Sequence, residues 1–396
     1  QEINAGDDYT PFIGYDQTAP QARFLNEIFT GTDHTNPPIK VLLYRPAASG
    51  AAAATVTSGT LTATAKYKGL RGNDLSVAIL DAGDETNFIV QTFLAGDLVD
   101  EQTVSDVSKL AANDWVTFSG TGAPVAAAGK PLAGGLDGTV NATNYSDYLT
   151  AIEPYTFSIL IYDGTDDTIQ QAISGFVQRM RNNVGRKCQA VMSGIQGNTE
   201  AVISVQNGYI LNDGTEITAE QATWWVGGAE AGASYNQSLV FGVHPRAVNV
   251  TERYTSDQID AYLDQGQIVL IEEFGAVKIV SDINTLTAFT PEKSADFALN
   301  QVIRTLDAVA NDTYEEFSRN YIGRIQNNDA GRDLLKSWIV GYMNELQANG
   351  AIQNFVADDV TVAAGTALNS VVITLNIQPV AAVEKIYMTV SLVDAA

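Results

Sequence analysis

The C-terminal region combines two helical patterns with two strand patterns, and this combination constrains the fold more than any other feature. Apolar residues recur at helical spacing over 292–317, which predicts a helix there. A second helical set ends at Asn349-Gly350, a typical C-cap. Residues 371–377 and 386–392 alternate apolar and polar, as strands with one buried face do. The predicted apolar stripe of the second helix consists of Leu334, Leu335, Trp338, Ile339, Tyr342 and Met343.

The connection between the two predicted strands, residues 378–382, does not read as a hairpin turn. It is longer than the two residues typical of such turns, and Pro379 lacks the N–H group that a strand ladder needs. The final strand can therefore pair in two ways that the sequence leaves open, within its own domain or with another molecule. The residues that share its apolar face are Ile386, Met388, Val390 and Leu392.

Four segments carry a likeness to a known family. Residues 375–380 read Leu-Asn-Ile-Gln-Pro-Val, and residues 383–390 read Val-Glu-Lys-Ile-Tyr-Met-Thr-Val. Upstream, residues 67–74 read Tyr-Lys-Gly-Leu-Arg-Gly-Asn-Asp, and residues 132–138 read Leu-Ala-Gly-Gly-Leu-Asp-Gly. With these motifs in this order, the chain resembles the sheath proteins of contractile tails, which occur in phages, R-type bacteriocins and related injection machines.

The resemblance implies a mechanical function. Sheath subunits polymerise as a helical sleeve around an inner tube, and the sleeve contracts to drive the tube through a cell envelope. Terminal arms that add strands to neighbouring C-terminal domains would keep the subunits linked. In the family an N-terminal arm precedes the position of Gln1, so we expect the printed chain to be a trimmed form.

The resemblance also implies the partners. They are neighbouring sheath subunits, the inner tube protein, and the baseplate and tail terminator at the two ends of the tail. The location would be the virion or a phage-tail-like particle, assembled in the bacterial cytoplasm. The second C-terminal helix would face the tube. The residues expected on its tube-facing side are Arg332, Asp333, Lys336 and Glu345.

Charge and cysteine content exclude other classes of partner. The formal net charge is −24, and nucleic acids and anionic membranes both select proteins with a basic face. We therefore predict neither nucleic-acid binding nor membrane insertion, since no apolar run is long enough to span a bilayer. The single cysteine, Cys188, cannot form an internal disulfide, and its apolar neighbours indicate an inert core thiol.

The pattern of predicted secondary structure changes twice along the chain. Residues 55–129 contain short β-like runs separated by glycine and asparagine, whereas helical and strand patterns alternate before and after them. We predict an α/β multidomain protein: an α/β sandwich domain with an inserted small all-β domain and a C-terminal α+β polymerisation domain. An apolar run at 39–44 predicts a strand covered on both faces. The predicted domains are 1–46 with 138–283, 47–137, and 284–396.

Two alternative functions remain open. A hydrolase with a β-domain cap would need His34 or His244 as its base, but no Gly-x-Ser-x-Gly motif accompanies them. Residues 68–74 lack the ending of a P-loop, which indicates a tight turn. One cysteine and two histidines cannot form a zinc site by themselves. We therefore assign no catalytic residue, cofactor or metal; the other alternative is a passive shell protein or adhesin.

The net charge leads to a first prediction. Subunits carrying −24 each repel one another over a Debye length of roughly 10 Å at 0.1 M ionic strength, and added salt shortens that reach. Assembly of the chain, followed by light scattering, should therefore increase with salt. A steady decrease with salt would mean that ion pairs between subunits dominate over the net charge.

Overall fold

The computed structural model of the protein describes residues 1–46, 48–84, 86–384 and 386–390. The chain divides into two compact units, each built from more than one segment. The first unit consists of Gln1, Asp8–Gln17 and Leu42–Ile152. The second unit consists of Glu2–Asp7, Thr18–Val41 and Glu153–Ala396.

Helices and strands are numbered here in chain order over the described residues. The α-helices are α1 (Thr10–Ile13), α2 (Arg23–Ile28), α3 (Ala142–Ile152), α4 (Asp167–Arg179), α5 (Ala219–Gly232), α6 (Ser256–Asp264), α7 (Asn300–Asn320) and α8 (Asp329–Ala348). The strands are β1 (Glu2–Asn4), β2 (Lys40–Leu42), β3 (Thr55–Ser58), β4 (Leu61–Ala65), β5 (Leu75–Asp81), β6 (Phe88–Leu94), β7 (Asp97–Val104), β8 (Val116–Ser119), β9 (Ala127–Pro131), β10 (Ile159–Ile161), β11 (Gln189–Ser193), β12 (Val202–Val205), β13 (Tyr209–Leu211), β14 (Glu216–Ile217), β15 (Ala247–Val250), β16 (Gln267–Ile268), β17 (Leu270–Glu273), β18 (Ala276–Ile279), β19 (Ile352–Gln353), β20 (Val360–Ala364), β21 (Val371–Leu375) and β22 (Gln378–Pro379).

The first unit contains two antiparallel sheets that share one apolar core. One sheet has the strand order β3-β4-β8, and the other has the order β7-β6-β5-β9. Alternation in β4 buries Leu61, Ala63 and Ala65, while Thr62 and Thr64 are only partly buried. These buried residues belong to the same core cluster as Leu75, Val77 and Ile79 of β5. This β-rich region therefore has its own core.

The two glycine-rich motifs of the sequence interlock within the first unit. The Asp137 carboxylate accepts a hydrogen bond from the Leu70 N–H at 2.7 Å, and the Asn73 amide bonds the N–H and C=O of Gly135 at 2.8 and 3.0 Å. Gly138 has φ +74°, and a Cβ there would lie 2.6 Å from backbone atoms of the facing segment. Backbone bridges Ser49–Thr139 and Ala52–Leu136 extend this pairing into a stem. Residues 70–74 form one short 3-10 helix, so the tight turn predicted at 68–74 is present in that form.

A parallel sheet with strand order β10-β11-β12-β16 lies at the centre of the second unit. All five residues of β11 are buried, and successive side chains point to opposite faces, so both faces of the sheet are covered. Helix α5 covers one face closely because it carries two adjacent glycines. A Cβ at Gly227 would lie 2.5 Å from the Ile161 side chain, and one at Gly228 would lie 2.1 Å from the Ile28 carbonyl oxygen. The predicted mixture of helices and strands over several domains is confirmed at this coarse level.

The strand predicted at 39–44 differs from the observed one. Only Lys40–Leu42 form a strand, β2, and it pairs with β1 in a separate two-stranded sheet. Ile39 is 84% exposed, so the prediction of a strand covered on both faces is wrong. An apolar run in the sequence does not by itself mean that each of its residues is buried, and Ile39 is largely exposed.

The first C-terminal helix begins later than its pattern predicts. Leu299 is held extended by a bridge to Ile283, and the Asn300 N–H donates to the Asp282 carbonyl oxygen at 2.9 Å, so α7 begins at Asn300 instead of 292. In the second helix, Leu334 is 47% exposed, and its place in the predicted apolar stripe is wrong. The buried face of α8 is formed by Leu335, Ile339, Met343 and Leu346. The predicted C-cap is confirmed, since Asn349 caps the helix and Gly350 has φ +75°.

Helix α7 is fixed to the second unit by a buried ion cluster. The Arg304 guanidinium donates to the Glu230 carboxylate of α5, and to Asp282 at 2.8 Å. All three side chains are at least nine-tenths buried. Burial and the neighbouring Asp282 carboxylate raise the pKa of Glu230 well above its usual range. One guanidinium thus compensates two carboxyl groups in an interior where an uncompensated charge is costly.

Removing that guanidinium should destabilise the second unit strongly. We expect Arg304→Met to lower the free energy of unfolding by about 3–5 kcal/mol at neutral pH, measured by denaturant titration. Both carboxyl groups would then have folded pKa values above their unfolded ones. The loss should therefore be small below about pH 4 and grow as the pH rises.

The matched control lies on the same helix. Arg319 forms only an exposed i,i+4 pair with Glu315, so Arg319→Met should change the stability little. Equal effects of the two substitutions would contradict the assignment of Arg304 as the anchor of α7.

Candidate functional site

The segment after β22 leaves the body of the second unit. The Val380 N–H donates to the Ala351 carbonyl oxygen at 2.9 Å, and the Ala382 N–H donates to the Gln301 side chain at 2.8 Å. Beyond these bonds the Ser281 hydroxyl donates to Glu384 at 3.2 Å. None of the described residues 386–390 lies in a strand. The chain is thus held to its own domain as far as Glu384, and residues 386–390 continue as a largely apolar segment.

The predicted face of the final strand is exposed where the structure describes it. Ile386, Met388 and Val390 are 84%, 81% and 81% exposed. Leu392 lies outside the described residues. Within 386–390 the predicted strand is not formed inside the chain, and these apolar side chains have large surfaces in contact with solvent. Such an unpaired apolar segment makes a monomer prone to aggregation, and it is available for pairing with another chain.

The two-stranded sheet formed by β20 and β21 has open edges. Strands β20 and β21 pair antiparallel, from Val360–Leu375 to Ala364–Val371. One face packs on α8, where Val360 is fully buried in a cluster with Met343 and Leu346. Among the described residues, neither outer edge of this sheet has a strand partner. Two strands alone are only marginally stable in water, so an added strand would extend the sheet favourably.

Part of the predicted linker is itself a strand. Gln378–Pro379 form β22, which pairs antiparallel with β19 through Gln353 and Ile352. Treating this stretch purely as a connection is therefore wrong. A proline is compatible with such a strand because the sheet has only two strands, and its missing N–H need not face the partner. Strand β22 fixes where the terminal segment leaves the domain.

The four residues expected on the outer side of α8 occupy two kinds of position. Asp333 and Glu345 are exposed, whereas Arg332 and Lys336 are partly buried at the border of the packed face. The Arg332 guanidinium donates to Asn327 at 2.9 Å and to Asp329, which fixes it at the start of the helix. The exposed face also includes Leu334, which the helical pattern placed inside. Contact of these residues with a tube stays a prediction.

His34, the first candidate base of the hydrolase alternative, has both ring nitrogens engaged. Nδ1 lies 2.8 Å from Asp33 Oδ1, and Nε2 lies 2.9 Å from the Ser238 carbonyl oxygen. A carbonyl oxygen only accepts, so Nε2 must donate to it. This nitrogen cannot take a proton from a serine hydroxyl, and the Ser238 hydroxyl itself lies near Asp282. The histidine fixes a loop.

His244, the second candidate base, is fully buried and also engaged on both sides. Its Nδ1 accepts hydrogen bonds from the Arg246 and Ala247 N–H groups at 3.0 and 2.9 Å, so Nε2 donates to Glu27 at 2.8 Å. Burial alone would raise the pKa of Glu27, but hydrogen bonds from His244 and Tyr209 and the charge of Arg246 lower it below its usual value. The His244 and Glu27 side chains of this cluster are fully buried in the core.

The remaining possibilities among the described residues are a reactive cysteine, a metal site and a membrane-spanning helix. Cys188 is 2% exposed, so its predicted position in the core is confirmed, and burial raises the pKa of its thiol to about 12. Over the described residues, no cluster of three or more His, Cys, Asp and Glu side chains could hold a metal ion. In that same part of the chain, no helix has the length and apolar character needed to cross a membrane.

Family models match three consecutive parts of the chain. Residues 48–137 match the phage tail sheath protein beta-sandwich domain, residues 138–285 match the phage tail sheath protein central domain, and residues 292–392 match the phage tail sheath C-terminal domain. The matched β-sandwich region contains the interlocked glycine motifs and the two-sheet core. The matched C-terminal region contains α7, α8, the open sheet and the terminal segment.

Similar proteins cover most of the chain. The protein XkdK of the phage-like element PBSX of Bacillus subtilis is 36% identical over 379 residues, which are 88% of this chain and 81% of that protein. The crystal structure of a sheath tail protein from Desulfitobacterium hafniense is 43% identical with a TM-score of 0.89, over 96% of this chain and 89% of that one. The helical sheath of the anti-feeding prophage in its contracted state has a TM-score of 0.51 at 15% identity, over 65% of this chain and 78% of that one, a likeness of fold alone.

Truncation after Ala382 should leave the stability of the isolated chain nearly unchanged. Most of the described side chains that it removes are highly exposed, among them Tyr387 at 91%. The melting temperature, measured by calorimetry, should therefore shift by no more than about a degree, because little apolar surface is uncovered.

A longer truncation is the control. Ending the chain after Asn376 also removes β22 and its bonds to the domain, and should lower the melting temperature clearly. A large drop from the shorter truncation alone would mean that the terminal segment packs within its own domain.

Proposed function

The chain belongs to the phage tail sheath family, and we propose that it is the subunit of a helical sleeve that surrounds an inner tube and contracts to drive that tube through a cell envelope. The observation that carries the proposal is that one domain contains both an unpaired apolar segment and a sheet with open edges. The segment of one copy can therefore pair with the open sheet edge of another copy. The particle would be a phage virion or a phage-tail-like machine, assembled in the cytoplasm of the producing cell.

The link between subunits would be strand addition. Residues 386–390, continuing to Leu392, would pair with an outer edge of the β20–β21 sheet of a neighbouring copy. Ile386, Met388 and Val390 would then extend the apolar face that β21 already turns towards α8 through Ile373 and Leu375. Each main-chain hydrogen bond contributes only about 1 kcal/mol net, but a row of them with the apolar contacts makes a durable link.

The anchor at β22 makes this link suitable for a moving assembly. Val380, Ala382 and Glu384 are hydrogen-bonded to their own domain, and the exposed stretch 386–390 follows within a few residues. A neighbour held through such a short connection can pivot without being released. The sleeve could therefore shorten and widen while its subunits remain connected.

The outer face of α8 would contact the inner tube. Asp333 and Glu345 present carboxylates on that face, and Arg332 and Lys336 supply cations at its border. A mixed set of charges suits a contact that must hold in the extended state and release on contraction, since exposed ion pairs are individually weak. At its two ends the sleeve would meet the baseplate and the tail terminator.

Contraction would draw its energy from a difference in packing between two arrangements of the subunits, with no nucleotide consumed. The role is structural, and no residue is assigned to catalysis. The hydrolase alternative is disfavoured because His34 and His244 both have their ring nitrogens engaged. We also propose a division of the chain into three domains: an α/β domain over 1–46 and 138–283, an inserted domain over 47–137, and a C-terminal domain over 284–396.

A pair of substitutions on one segment tests the strand link. Met388→Asp places a charge on the face that would be buried in the neighbour's sheet, and should abolish the tubes that we expect the overproduced chain to form, as judged by electron microscopy. Tyr387→Asp places the same charge on the opposite face and should leave tubes intact.

The outcomes separate the alternatives. Tubes that form normally with Met388→Asp would overturn strand addition by this segment. Wild-type tubes that never shorten when the complete tail is triggered would favour the passive shell. Loss of tubes in both variants would show that this segment is not a strand with two distinct faces.

A further inference from the structure

An aromatic side chain projects from a tight turn in the second unit. Strands β17 and β18 form a hairpin whose two loop residues are Phe274 and Gly275, with φ +56° and +79°. Such turns strongly favour asparagine, aspartate or glycine at the first position, because other side chains are strained in the left-handed region. Phe274 is nevertheless present there and is 93% exposed. Neither backbone preference nor burial in the monomer accounts for a phenylalanine at this turn.

A second phenylalanine repeats the same anomaly next to it. Phe241 has φ +54° and is 44% exposed. The Lys278 ammonium group lies 5.7 Å from the centre of the Phe241 ring and 5.4 Å from that of Phe274, and it pairs with Glu273 at 3.1 Å. We call Phe241, Phe274 and Lys278 the aromatic knob. Strained, exposed aromatic residues held in a fixed arrangement are typical of binding surfaces.

The second unit also contains a groove of complementary character. It encloses about 410 Å³ between the segment before β10, the loop before β11 and the second half of α7. Its aromatic lining includes Tyr155 and Tyr314, each 58% exposed, and Phe157. The groove is preformed, because the Asn311 side chain bonds both the N–H and the C=O of Lys187 at 2.9 and 3.0 Å. A phenylalanine side chain fits such a volume.

The groove has a positive lining, whereas the charges around the knob are paired. The groove is lined by Arg186, Lys187 and Arg319 against the single carboxylate of Glu315, a local excess of two positive charges in a chain whose net charge is −24. Phe274 at the tip of the knob follows two consecutive glutamates in the sequence. Glu272 pairs with Arg253, and Glu273, whose side chain is 44% exposed, pairs with Lys278 of the knob itself. The ring would supply the contact area, and insertion would place the exposed part of Glu273 between Lys278 and the cations of the groove.

We propose that the aromatic knob of one subunit inserts into the groove of a neighbouring copy. The two surfaces are different, so the contact is heterologous: each copy is both donor and acceptor, and successive copies add without closing into a pair. This contact rests on the proposed function for the identity of the occupant, and it adds a second interface that does not involve the C-terminal segment. It assigns Phe274 a role that its strained turn otherwise lacks.

The substitution Phe274→Asn distinguishes binding from stability. Asparagine tolerates the left-handed conformation, so the melting temperature should stay the same or rise. The concentration needed for half-maximal assembly should increase roughly tenfold or more, as for the loss of an aromatic anchor. Phe289→Asn is the control, since Phe289 is 51% exposed and belongs to neither surface. Equal assembly of Phe274→Asn and the parent chain would overturn the proposal.

Disulfide trapping identifies the partner surface. In a Cys188→Ala background, needed because Cys188 itself lines the groove, the double variant Phe274→Cys, Ser318→Cys places one thiol on the knob and one on the exposed rim of the groove. Mild oxidation during assembly should produce a ladder of dimers, trimers and longer species. Neither single variant should form dimers at a comparable rate.

The outcomes of this cross-linking test can be distinguished from those of the test of strand addition. Dimers alone, or dimers from Phe274→Cys by itself, would show a symmetric knob-to-knob contact and overturn the proposal. Tubes without any cross-link would overturn it while the proposed sleeve function stands. A chain that forms no tubes and no higher species at any concentration would overturn both.

Discussion

The buried guanidinium of Arg304 is the interaction on which the second unit depends most. It joins α7 to the end of α5 and to the segment after β18, and it compensates two carboxyl groups that have no access to water. A second buried pair, Arg181 with Asp307, fixes the same helix one turn further along. Everything C-terminal to it, from α8 to the terminal segment, therefore starts from a helix with a determined position. Buried ion pairs add little net stability, but they penalise every other arrangement of the helix.

The sequence alone predicts the helical part of the C-terminal region because local periodicity determines it. The C-cap at Gly350 and the buried residues of α8 follow the 3.6-residue repeat, except for Leu334, which lies at the edge of the stripe. The start of α7 could not be predicted, because Leu299 is held extended by Ile283, a residue distant in sequence. The apolar run at 39–44 failed for the opposite reason, since composition carries no information about which layer covers a strand.

The surfaces that we propose as functional were harder to predict from the sequence than the C-terminal helices. The terminal strand was visible in its alternation, but alternation does not say whether the partner strand belongs to the same chain. The knob was hidden because Phe-Gly is not a recognised hairpin turn, although apolar segments on both sides of Gly275 are a usable signal. The groove has no sequence signature, because it combines three segments that only the fold brings together. Local features are readable from sequence; sites assembled from distant segments are not.

The paired stem of the first unit has a consequence for how such chains diversify. The polypeptide enters and leaves the β-rich region through segments bridged at Ser49–Thr139 and Ala52–Leu136, so the two ends are only about one strand spacing apart, roughly 5 Å. A region attached in this way behaves as an exchangeable cassette. Another domain with adjacent termini could be spliced in at the stem, or a decoration fused there, without changing the path of the remaining chain. Recombination at these positions would let one scaffold carry different inserted modules.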